Sequence, residues 1–89
     1  MIEITARHME GGEGHEHIAS VRWVNPADGT TGENSLAGMV DWIDNKGGKV
    51  CVRDGDETAI VAVIRASPSF LQTHFDNKWS DHLLRLPTY

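Results

Sequence analysis

Hydrophobic and polar positions alternate at the start of the chain. Ile2, Ile4 and Ala6 interleave with Glu3, Thr5 and Arg7, the period of a half-buried strand, which predicts one over residues 2–9. The Gly-rich stretch EGGEGHE (10–16) is polar throughout. HIASVRWVN (17–25) returns to β-branched and aromatic residues, so a second strand is expected there, paired to the first as an antiparallel hairpin. NPADGTTGEN (25–34) breaks the pattern with Pro26 and the Asp28-Gly29 pair, residues that favour turns.

The period changes at residue 35. Leu36, Met39, Val40 and Ile43 recur at helical spacing, with Asp41 and Asp44 towards the other side, predicting a helix over 35–48. Ser35 or Asn34 can cap its start, and Gly47-Gly48 ends it, since glycine tolerates the left-handed conformation that follows a helix. Gly38 costs about 1 kcal/mol against alanine inside a helix, which suggests that another element passes close to it. KVCVRDGDETAIVAVIRA (49–66) holds two strand-like runs around Asp54-Gly55-Asp56, a second hairpin. Its run Ala59–Ile64 is apolar on both faces and reads as a central strand beneath the helix, with Ile60, Val61, Val63 and Ile64 buried and Ala62 towards the helix or a close neighbour. Pro68 stops the ladder. Phe70–Phe75 resumes it with Leu71, Thr73 and Phe75 on the core side and His74 outward, Asp76-Asn77-Lys78 turns it, and Leu83, Leu84 and Leu86 pin the remaining tail.

These elements predict an α+β fold: one small sheet of about five mostly antiparallel strands with a helix packed on one face, in the order β-β-α-β-β-β. Eighty-nine residues are enough for a single domain, 1–89. The hydrophobic fraction of 39% is low for such a domain, so a covering partner or a homodimer is a natural expectation. The formal charge of −5, with Lys and Arg scattered, argues against nucleic acid as a partner, because such binding relies on rows of cations that neutralise phosphates. No segment approaches the length of a membrane span, and the N-terminus does not resemble a signal peptide. With Cys51 as the only cysteine, no internal disulfide can form, and a cytoplasmic location is expected.

The C-terminal stretch FLQTHFDNKWSDHLLRLP (70–87) concentrates His, Asp, Trp and Leu. It resembles the signature YLxTxxDxxxxDNLLxLP of a family of short bacterial and phage proteins catalogued as a domain of unknown function, matching at Leu71, Thr73, Asp76, Asp81, Leu83, Leu84, Leu86 and Pro87. His17-Ile18, the Trp-bearing helix and the run Val50-Cys51-Val52 extend the resemblance. Phe70 replaces the signature Tyr and His82 the signature Asn, so a site built on that phenol or amide would be missing here. The resemblance implies a domain outline and no activity.

Two chemical readings follow from the residues. In a strand, His15 and His17 would face the same side and could share a metal, with a third ligand from His74, Asp76, Asp81 or His82. Against this, His15 lies in a Gly-rich loop and His17 opens a strand, where solvated imidazoles are ordinary. Asp76 and Asp81 sit beside imidazoles, the raw material of acid–base catalysis, yet both also suit the capping of a turn and of the tail through backbone N–H groups. EGGEG lacks the spacing of a phosphate loop and carries carboxylates that repel anions. Cys51 falls mid-strand, the setting of a buried, inert thiol. Trp23, Trp42 and Trp79 are candidates for contact with a partner protein. The leading expectation is therefore a non-enzymatic accessory or regulatory protein, of phage or bacterial type, that acts through protein–protein contact without a cofactor. The alternative is a metal-binding or metal-dependent protein built on the His15/His17 pair, His74 and the C-terminal Asp/His strip.

Overall fold

A computed structural model describes residues 1–89. Seven strands form one sheet: β1 (Ile2–Met9), β2 (Ile18–Val24), β3 (Thr31–Ser35), β4 (Val50–Asp54), β5 (Glu57–Ile64), β6 (Phe70–Phe75) and β7 (Lys78–Ser80). The helix α1 (Leu36–Lys46) lies between β3 and β4 in the chain. The spatial order is β3-β2-β1-β4-β5-β6-β7, and every neighbouring pair is antiparallel except β1 with β4.

The one-helix α+β plan matches the sequence reading, but the expected five strands are seven. Both additional strands are short edges. β3 reads TGENS, too polar to stand out as a strand, and it is held by its register with β2. Gly32 lies opposite Trp23, where any Cβ would meet the indole at 2.4 Å, and Trp23 Nε1 donates to Asn34 Oδ1 at 3.0 Å. β7 is three residues long and follows a two-residue turn in which Asp76 and Asn77 both have positive φ (54° and 62°). That conformation matches the twist of paired strands, and Asp and Asn tolerate it better than most residues.

α1 begins at Ser35, whose Oγ accepts from Gly38 N, and stops at Gly47 with φ 65°. The atoms nearest Gly38 belong to the end of β3, which leads directly into the helix: Ser35 Oγ, the cap itself, and the Asn34 side chain. The 3₁₀ turns are His15–His17, ahead of β2, and His82–Arg85, near the end.

The register sorts the sheet into two faces. Ile4, Val21, Val50, Val52, Val61 and Leu71 point to one face and form a cluster with Met39 of α1 and Leu83 of the last 3₁₀ turn. Leu36, Val40, Ile43, Leu84 and Leu86 pack around its margin, so the tail leucines do pin the chain end as expected. Beyond them, Pro87–Tyr89 runs beside β1: Arg7 N donates to Pro87 O at 3.0 Å and Tyr89 N to Arg7 O at 3.1 Å. β4 pairs with β1 only at Ile2 and Glu3, and the tail takes up β1 hydrogen-bonding positions further along.

The opposite face carries neither α1 nor the leucine tail. Pairing aligns Thr31, Val24, Glu3, Cys51, Ile60, His74 and Trp79 in one row across it. β5 is central, but its expected burial holds on one side only. Val61 is buried and Val63 half-buried, whereas Ile60 is 46% exposed on the outer row. Ala62 pairs with Gln72 on that outer side, away from the helix, because alternation places it opposite Val61.

Candidate functional site

The end of the sheet farthest from β3 carries a polar cavity of about 570 Å³, lined in part by His15, Glu57, Ser80, Asp81, His82 and Arg85. His82 organises it. Only 3% of this imidazole is exposed, and its ring packs against Phe75 with centroids 5.2 Å apart. Nδ1 lies 2.7 Å from Ser80 Oγ, and Nε2 lies 2.7 Å from Glu57 Oε1.

The direction of these bonds is fixed by elimination. Thr73 Oγ1 donates its only proton to Ser80 O at 3.0 Å, so it accepts from Ser80 Oγ at 2.8 Å. The Ser80 proton is thereby used, and Nδ1 must be the donor to Ser80 Oγ. On the other side of the ring, Nε2 faces a carboxylate oxygen. Glu57 and Asp54 are the last cross-strand pair of the β4–β5 hairpin, two acids directly opposite each other, an unfavourable arrangement without a counter-charge. Arg85 supplies part of it, with Nη1 3.3 Å from Asp54 Oδ2 and Nη2 2.7 Å from Asp81 Oδ1. The Arg85 hydrogen bond lowers the Asp81 carboxyl below its usual range. Asp81 does not cap the tail with its side chain as expected. Its backbone oxygen accepts from Leu84 N instead.

The two members of the histidine pair are separated. His15 lines the polar cavity, whereas the ring of His17 lies over Gly12 with Nε2 3.5 Å from Glu16. The strand assumed for them is a 3₁₀ turn, in which residues two apart do not share a face. His15 Nε2 is buried without a hydrogen-bond partner, and burial lowers the pKa of the ring against the opposing pull of Glu16 and Asp81. His74 is exposed on the outer face against the edge of Trp79, ring centroids 5.3 Å apart. The trio His15, His17 and His74 is therefore not a common ligand set. His82, read as a member of a surface strip, is instead the buried centre of the cavity. Sequence reasoning missed Asp54 and Glu57, although the run Asp54-Gly55-Asp56-Glu57 carried a signal: a two-residue turn places its flanking acids face to face.

The tryptophans also divide. Trp23 is half-buried at the edge of the sheet, where its indole lies over Gly32 and donates to Asn34. Trp42 is 38% exposed, and its indole lies over Gly48 beside the helix end. Trp79 is 55% exposed on the outer face. That face continues through Ile60, Ala62 and Gln72 to Ile64 opposite Phe70. Its charges are matched locally: Arg53 Nε donates to Glu3, and Arg22 lies opposite Glu33. Cys51, in the same row, is 1% exposed, and burial and then the nearby Glu3 raise the pKa of its thiol, the state of an unreactive cysteine. No helix is long and apolar enough to cross a membrane.

Comparison with known proteins agrees with the expectation of a domain of unknown function. Residues 3–87 match DUF3892, a family described as proteins of unknown function, and the chain belongs to that family. Neither the curated proteins nor the solved structures contain a significant match.

Proposed function

We propose that this protein acts through protein–protein contact rather than catalysis, and that the outer face of its sheet pairs with the same face of a second copy. The observation that carries the reading is the outer row Ile60–His74–Trp79, where two of the chain's large exposed apolar side chains stand on a part of the face that α1 does not cover and that the tail, whose Tyr89 lies against Arg22 nearer β3, does not reach. Large apolar groups grouped on a flat surface favour association, because pairing removes them from water.

Charge and size support a second copy as the occupant. The chain carries a formal charge of −5, so most like-on-like contacts bring acids together. On this face Glu3 is paired with Arg53, and Arg22 stands opposite Glu33 in register, so the two arginines equal the two glutamates and two such faces meet without net repulsion. Seven strands spaced about 4.8 Å apart span roughly 30 Å, and strands of three to eight residues run about 10–26 Å, so the whole face offers at most about the 800 Å² per partner of a standard interface.

Light scattering on the full chain and on the Ile60→Asp/Trp79→Ser double variant tests the reading. The parent is expected to associate at micromolar concentrations. The variant should weaken association at least tenfold while keeping its melting transition. A parent that stays monomeric at hundreds of micromolar would overturn it, as would undiminished association of a folded variant.

A further inference from the structure

We infer that His82 Nε2 and the carboxylates of Glu57 and Asp54 form a binding site for one divalent transition-metal cation, for which zinc is the natural probe. Their ligand atoms all lie within 4.8 Å of one another, at the end of the β4–β5 hairpin. Asp54 and Glu57 sit on the core side of the sheet, whereas Gln72 and Trp79 of the contact face line the far wall of the adjoining cavity.

Three features point to a cation. First, the Thr73–Ser80 relay obliges Nδ1 to donate, which leaves Nε2 as the nitrogen aimed at the carboxylates. A ligating histidine is ordinarily held this way, by a hydrogen bond from its other ring nitrogen that fixes tautomer and orientation. Second, a carboxylate accepts only, so a proton or a metal must lie between Nε2 and Glu57. Asp54 and Glu57 face each other across the hairpin end, and Arg85 reaches only Asp54 of the two, at 3.3 Å. Third, His15 Nε2, buried and unpartnered, lies on the wall of the cavity that Glu57 and His82 also line.

The geometry requires small adjustments. Two ligands of a tetrahedral zinc stand about 3.3 Å apart, so the 2.7 Å contact between Nε2 and Glu57 must open by roughly half an ångström. The Glu57 side chain is 46% exposed and free to make that shift. An imidazole nitrogen with two carboxylate oxygens suits zinc, cobalt or nickel better than calcium or magnesium, which take all-oxygen shells. Arg85 is the built-in competitor, because its guanidinium already occupies Asp54.

The test is titration of the chelator-treated full chain with zinc by calorimetry and with cobalt by visible absorption. One equivalent is expected to bind with micromolar or tighter affinity, and cobalt should show the intense bands of a low-coordinate site. Glu57→Gln, which keeps an oxygen opposite His82 Nε2, and Asp54→Asn should each weaken zinc at least tenfold while keeping a cooperative melt, and His82→Gln should weaken it more. Arg85→Gln should tighten it, and His17→Ala should leave it unchanged. The absence of saturable binding would overturn the inference. So would zinc affinity that survives both carboxylate substitutions or falls with His17→Ala, since the metal would then reside on surface imidazoles.

Discussion

His82 shows most clearly how position governs what a side chain does. Within the signature stretch it looks like one polar residue among several, next to Asp81 in a turn. The 3₁₀ turn that buries Leu83 carries its neighbour inward as well, and the ring ends between Phe75, Ser80 and Glu57. Burial makes those bonds count, because a deleted partner leaves polar atoms that water reaches poorly. His82→Ala is therefore expected to cost about 2 kcal/mol, while His74→Ala on the open face should stay within about 0.5 kcal/mol. Urea denaturation of the two variants beside the parent measures both, and equal stabilities would show that the relay carries no weight. Cys51 gives a second test at this scale. Its thiol should react with an aromatic disulfide reagent only after unfolding, and rapid reaction in the native protein would place it nearer the surface than its 1% exposure.

At the scale of elements, β5 separates what pattern can and cannot say. An apolar run on both sides reads as a strand buried on both faces, and the strand is there over Glu57–Ile64. Its two sides differ because α1 and the tail both settle on the same face of the sheet. Val61→Asp should abolish cooperative folding, since it buries an unpaired charge, whereas Ile60→Asp one residue earlier should leave the melting temperature nearly unchanged. A thermal melt in which the two behave alike would contradict the assignment of faces. The helix, its Ser35 cap and Gly47 stop, both hairpins and the strand Phe70–Phe75 were legible because each rests on local chemistry. β3 and β7 were not, since a polar edge such as TGENS is stabilised by its partner's side chains, here Trp23 over Gly32. The histidines were misplaced for a related reason: the turn that separates His15 from His17, and the hairpin end that meets His82, are set by packing across the fold.

The whole molecule is a sheet closed on one side, and its last ten residues do much of the closing. Leu83 is fully buried, and burying such a side chain contributes about 1.5–3 kcal/mol against the roughly 5–15 kcal/mol net stability of a domain. Leu84 and Leu86 add to this, and Pro87–Tyr89 supplies hydrogen bonds along β1, with Tyr89 Oη 2.9 Å from Ser20 Oγ and its ring under the Arg22 guanidinium. A chain ending at Trp79 should lose its cooperative melt by circular dichroism, and retention of a sharp transition would mean the tail is dispensable.

The open side remains, and the pairing of two such sides is the central claim. Dilution of uniformly labelled protein, followed by backbone and indole resonances, addresses it most directly. Concentration-dependent shifts are expected only in the outer rows, at Ile60, Ala62, Gln72, His74 and Trp79, with α1 unaffected. Shifts centred on α1 and Trp42, or none up to millimolar concentration, would contradict it.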